Sequence, residues 1–166
     1  MKKLGIFLLI ISFLLLNLKK EIEKDNINYH NEIIKKIYDN HNYKECLGYI
    51  EIPKYNIKRL IKESVSNEIL DNNYVGLMNI KNDNLLVLAG HNINLVFHKI
   101  HYLKKGDLIN LYLKEKEEYK VIKTLEINID DNSILYKKYK DKTLILITCT
   151  KDSNKRFIVI AKKIIG

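Results

Sequence analysis

Hydrophobic and polar positions divide this chain into three regimes. Residues 4–18 are apolar apart from Gly5, Ser12 and Asn17. Between residues 20 and 43, charged and apolar side chains mix. There Ile33, Ile34, Ile37 and Tyr38 recur at i, i+3, i+4 spacing, the mark of an amphipathic helix. From Cys46 onward the period shortens to two, and short apolar runs alternate with turn residues.

The β region resolves into individual elements. Residues 48–52 alternate and meet Pro53, the only proline, as at a strand end or edge. Residues 57–61 form a second short strand. Residues 64–74 read as a polar loop with a helical turn around Glu68 to Leu70. Residues 85–89 are unbroken and apolar, as in a strand covered on both faces. Residues 94–103 read as a short helix carrying Val96, Phe97 and Ile100 inward. Gly106 and Asp107 make a turn before strands at 108–113 and 119–127. A polar loop at 128–142, with Ile134, Leu135 and Tyr136 in its middle, precedes two terminal strands. No internal repeat interrupts this order. The expectation is a mainly β fold: a closed or nearly closed barrel of about eight strands with short helices. Three segments follow: 1–19 as a signal-anchor helix, 20–44 as a helical stalk, and 45–166 as the barrel.

Composition narrows the function. Hydrophobic residues make up 46% and charged residues 30%, a globular rather than disordered balance. The net charge is +9. The basic residues are scattered and not interleaved with aromatics, which argues against nucleic acid. Anionic polymers, lipid headgroups or plain solvent remain as their counterparts. No zinc-type Cys/His cluster or Gly-rich phosphate loop occurs. At the N-terminus, Lys2 and Lys3 precede the apolar run, as in a secretory signal. The only alanines are Ala89 and Ala161, so no small-residue cleavage site follows, and an uncleaved anchor is expected. Fifteen helical residues span about 22 Å against a bilayer core of about 30 Å, so flanking lysines would have to snorkel.

Candidate chemistry gathers at two strand ends. In LILITCTKDSNKR, residues 144–156, period two puts Ile145, Ile147 and Cys149 on one face and Leu144, Leu146 and Thr148 on the other. The turn cluster after Cys149 would return Arg156 beside it as a hairpin. In LLVLAGHNIN, His91 follows an apolar strand and Ala-Gly, 58 residues before the cysteine. A cysteine is nucleophilic as its thiolate, which a neighbouring histidine or cation favours. His98 and His101 compete with His91 but lie in the helix-like segment. Lys151 and Lys155 compete with Arg156 but lack its five-donor fork. A buried core thiol is the plain alternative for Cys149. His30 and His41 show no metal-ligand spacing and receive no role.

These segments resemble a known family. LILITC is similar to the L-x-T-C signature of sortases, the cysteine transpeptidases of Gram-positive cell walls, and LAGHN resembles their catalytic histidine segment. YIEIPKYNI, FHKIHYLKKGDLINLY, EYKVIKTLEI and FIVIAKKI resemble further sortase segments, extending the likeness over roughly residues 46–164. The resemblance implies a sortase-like barrel with Cys149 as nucleophile, His91 as general acid and base, and Arg156 steadying substrate or oxyanion. Ala89, Ile147 and Thr148 would then contact substrate. It implies sorting-signal-bearing surface proteins or pilins as substrates, and an amine of a peptidoglycan precursor or pilin lysine as acceptor. The chain would sit in the cell membrane by a single pass, with the catalytic domain outside. No cofactor is expected, calcium at Asp130 and Asp131 being the less favoured alternative to a solvated pair. An inactive membrane-tethered binding barrel is the competing function. A thiol–disulfide protein using Cys46 and Cys149 is the third, but it lacks a C-x-x-C pair.

Overall fold

The computed structural model describes residues 2–40 and 46–164. Its eight strands are β1 (Gly48–Ile52), β2 (Ile57–Lys62), β3 (Val75–Met78), β4 (Leu85–Ala89), β5 (Leu108–Tyr112), β6 (Lys116–Asn128), β7 (Thr143–Cys149) and β8 (Lys155–Lys163). They close into a barrel in the order β1-β2-β3-β4-β7-β8-β6-β5. β2/β3 and β4/β7 pair in parallel, and the other neighbours are antiparallel. Three α-helices accompany them among the described residues: α1 (Lys2–Asn40), α2 (Asn67–Asp71) and α3 (Ser133–Tyr136).

The alternation read from sequence decides which side chains fill the barrel. On β7, Leu144 and Leu146 point inward with Leu88, Val96, Phe97, Ile100 and Val159. Full burial of each such side chain contributes about 1.5–3 kcal/mol. Ile145 and Ile147 point outward into a second cluster with Val87, Ile158, Ile134 and Leu135. The 128–142 connection, folded around α3, therefore roofs the outer face of β4, β7 and β8. That roof makes β7 apolar on both faces, which fits its position between two parallel- and antiparallel-paired neighbours rather than at an edge.

Three expectations change. β3 was not anticipated: only Val75 and Gly76 of its four residues are buried, too few positions for a period of two to declare itself. β6 begins at Lys116, earlier than residue 119, and a register shift between Val121 and Lys123 bends it around the barrel. Of residues 94–103, only His98–Tyr102 is helical, as a 3₁₀ turn, although Val96, Phe97 and Ile100 are fully buried as expected.

α1 runs 39 residues without a break at the expected boundary between residues 19 and 20. Its large apolar side chains from Leu4 to Leu18 are exposed. Among the described residues, no helix is long and apolar enough to cross a membrane. Farther along, Ile34 is buried and Ile33 half-buried against Cys46, Tyr49 and Leu60. Ile37, Tyr38 and His41 lie outside the described side chains. His30, left without a role by the sequence, is fully buried, its ring 5.0 Å from that of Tyr74. Burial first, and the nearby Arg59 cation second, lower its pKa to about 4, so α1 docks on the barrel through a neutral imidazole.

Candidate active site

The cysteine and the arginine are brought together by a hairpin. Cys149, the last residue of β7, pairs directly with Arg156, the second of β8. The turn between them is held by its own polar residues. Thr150 N–H donates to the Lys155 carbonyl at 3.0 Å, and Ser153 N–H to the Thr150 carbonyl at 3.0 Å. Ser153 adopts a left-handed φ of 59°, and Asn154 N–H donates to Asp152 Oδ1 at 3.3 Å. Register and turn together put Arg156 Nη1 2.7 Å from Cys149 Sγ, donating to the sulfur. The cationic guanidinium thus faces the sulfur directly.

The histidine arrives by strand pairing. β4 and β7 run parallel with Ala89 opposite Ile147. The ladder continues one step further: Gly90 N–H donates to the Ile147 carbonyl at 3.1 Å, and Thr148 Oγ1 donates to the Gly90 carbonyl at 2.8 Å. His91 and Cys149 come next on each strand. The 58-residue separation seen in the sequence is thus the register of one parallel pair. Gly90 is needed here for space, because a Cβ would lie 2.8 Å from the buried Phe97 and Val96 side chains.

His91, Cys149 and Arg156 line one cleft of about 390 Å³. Much of its wall is apolar, including Leu70, Met78, Ile129, Leu135, Ile147 and Ile158, with Asn67, Asp131 and Asn132 among the polar lining residues. His91, Cys149 and Arg156 are half-buried, so they face the cleft without being sealed from solvent.

Residues 50–164 match the model of the sortase domain family. The chain belongs to the sortase family. It is 31% identical over 129 residues to sortase D of Bacillus subtilis, covering 72% of this chain and 65% of that protein. It is 34% identical over 128 residues to sortase A of Bacillus anthracis, covering 70% and 59% respectively. This sortase therefore spans somewhat under two thirds of the length of those two relatives. Among solved structures, a Clostridium perfringens sortase C with the C-terminal cell wall sorting motif superposes with a TM-score of 0.66 at 25% identity. That likeness covers 88% of this chain and 91% of the other.

The remaining residues sort by what they touch. Ala89 and Ile147 line the cleft in register with each other. Thr148 also borders it, but its side chain is buried and its hydroxyl is taken up by Gly90, so it ties β7 to the histidine strand. His101 packs against the backbone of Cys149, with Nε2 3.2 Å from its carbonyl oxygen and its ring 4.3 Å from that of Phe157. Burial lowers its pKa. His98 pairs with Asn92 at 3.1 Å. Cys46 is buried beside α1, among Ile34, Tyr49 and Leu60, and is not part of the cleft.

Asp131 borders the cleft, and its Oδ1 accepts the Ser133 N–H at 2.9 Å at the start of α3. Hydrogen bonds from Ser133 hold its pKa low. Among the described residues, no three His, Cys, Asp or Glu side chains converge as metal ligands.

One contact was not anticipated: His91 Nε2 lies 3.0 Å from Asp71 Oδ1. Asp71 sits in a stretch that reads as polar loop, and only its position at the end of a helical turn hinted at a fixed place.

Proposed function

We propose that this sortase is a cysteine transpeptidase, with Cys149 as nucleophile and His91 as the proton carrier. The observation that carries the proposal is the Cys149 Sγ–Arg156 contact at 2.7 Å in a cleft shared with His91. A core thiol has no reason to meet a guanidinium, whereas a nucleophilic thiolate does.

The chemistry follows from those groups. The Cys149 thiolate attacks a peptide carbonyl carbon, and the developing oxyanion is held by Arg156. The C–N bond breaks as His91 gives its proton to the leaving amine, and a thioester remains on Cys149. An incoming amine then attacks the thioester carbon and yields a proton to His91. A new amide forms, and the sulfur departs as thiolate. A cleft of about 390 Å³ lined largely by apolar side chains suits a peptide segment better than a folded surface. The substrate class we assign is the C-terminal sorting signal of surface proteins or pilins, the motif carried by the Clostridium perfringens structure. The acceptor is an amine of a peptidoglycan precursor or a pilin lysine. No cofactor enters the reaction.

The test is incubation of the full chain with a peptide library and hydroxylamine. Cleaved peptides ending in a hydroxamate are the expected products. If Cys149 reacts with a thiol probe but no peptide is cleaved, the inactive binding barrel replaces this reading.

The fifteen-residue apolar stretch of α1 exposes its side chains around the helix and is bounded by Lys2, Lys3, Lys19 and Lys20. We assign it to the cell membrane, short of a full span, with the lysines reaching the interfaces and the barrel outside. The chain is expected to fractionate with membranes and to keep its N-terminus. Mature protein in the medium beginning after about residue 18 would overturn this.

A further inference from the structure

We propose that Asp71 is a positioning residue that sets the tautomer of His91. In this arrangement Nε2–H is donated to the carboxylate, and Nδ1 is left as the nitrogen that exchanges a proton in the cleft. The inference rests on the transpeptidase reading and adds which ring nitrogen does the work.

The chemistry of the pair fixes the direction. An ionised carboxylate only accepts hydrogen bonds, and a neutral imidazole carries one N–H. At 3.0 Å from Asp71 Oδ1, Nε2 must bring the hydrogen, so the lone pair resides on Nδ1. The partner of one nitrogen thereby selects the function of the other.

Asp71 is held in place by its backbone rather than by burial. Its helix, α2, is capped by Ser66, whose Oγ accepts the Ile69 N–H at 3.3 Å. It ends with Asn73 in the left-handed region at φ 62°. Asn73 N–H donates to the Leu70 carbonyl at 3.0 Å and Tyr74 N–H to that of Ile69 at 3.3 Å. These are the two bonds of a Schellman closure, with Asp71 as the last helical residue. The chain then enters β3, where Gly76 pairs with Ala89, two residues before His91. The excursion closes tightly, because a Cβ on Gly76 would lie 2.5 Å from the Ser64 carbonyl oxygen. From behind, α1 braces the same segment: Tyr29 and Tyr74 hydroxyls are 3.3 Å apart, and the His30 ring packs on Tyr74.

The side chains are open to solvent, 39% for His91 and 71% for Asp71. An exposed pair of this kind adds little to stability. Its effect is therefore expected in proton placement and not in folding, and that separates positioning from scaffolding.

The experiment uses the full chain with ¹⁵N-labelled histidine, with His91 assigned by comparison with His91→Gln. Long-range ¹H–¹⁵N correlations at alkaline pH, where imidazole is neutral, report which nitrogen is protonated. Wild type is expected to show Nε2–H. Asp71→Ala removes the acceptor, and Asp71→Asn offers a side chain that can donate or accept, so both should lose the preference. Both should also lower kcat/KM for hydroxylamine transfer about two- to five-fold with an unchanged Tm. A wild-type Nδ1–H tautomer, an unchanged tautomer in the variants, or a changed tautomer with unchanged rate would each overturn the inference. The spectrum needs no substrate: a wild type that cleaves no peptide defeats the transpeptidase reading, while the tautomer assignment is still decided.

Discussion

Cys149→Ala is expected to leave no measurable transpeptidation, while Cys46→Ser keeps the activity of each folded molecule close to wild type. The two thiols differ in what surrounds them. Cys149 ends β7 at the cleft, with the Arg156 guanidinium on its sulfur. Cys46 lies 7% exposed in the apolar seam between α1 and the barrel. A serine there replaces the thiol by a more polar hydroxyl among Ile34, Tyr49 and Leu60, which is expected to cost some stability. The loss belongs to stability, so activity is normalised to folded protein by a parallel thermal melt. Inactive but folded Cys46→Ser would instead favour a redox role for the two cysteines.

Arg156→Lys is expected to lower the acyl-transfer rate by roughly 10²–10³-fold, the range for losing one oxyanion donor. The geometry makes two uses of the guanidinium. In the resting site it touches Cys149 Sγ; as sulfur gives its charge to the carbonyl, the planar fork can serve the oxyanion. A lysine retains the cation but presents a single mobile point charge. Alkylation of Cys149, which needs only the thiolate, should therefore fall less than peptide transfer. The pH optimum should change little, since both side chains are cationic over the working range. His91→Ala should cost at least as much rate and remove the protonation-dependent limb of the profile. A full-rate Arg156→Lys enzyme would reduce Arg156 to a structural cation. An unaltered His91→Ala profile would end the acid–base role.

Much of the site was legible because it is built from strand ends. Apolar runs stopping at Gly90 and at Cys149 mark where two strands leave the barrel, and the Lys-Asp-Ser-Asn cluster marks the hairpin that returns Arg156. His91 alone of the three histidines from 91 to 101 follows a strand, while His98 and His101 fall in the helix-like segment. The structure puts His91 in the cleft with the sulfur and His101 against the Cys149 backbone. Asp71 gave no such signal. It is polar and exposed, in a segment without periodicity, and it matters only because β3 returns the chain beside β4. Thr148 was expected to contact substrate from its place beside the cysteine. In the structure it borders the cleft, with its hydroxyl donated to the Gly90 carbonyl at 2.8 Å.

The sequence by itself determined most of the elements, β3 excepted, the alternation of their faces, and the residue types at each end. These are local properties: a side-chain period of two and the φ preferences of turn residues operate over a few positions. Only the tertiary structure decided which ends meet. The parallel β4/β7 register brings together residues 58 apart, and β3 brings Asp71 to a histidine 20 residues on. His30 is of the same kind, a polar residue on an amphipathic helix until the barrel buries it against Tyr74. Strand order and barrel closure are set by the sum of many weak packing and hydrogen-bond terms across the chain, and no short window of sequence contains that sum.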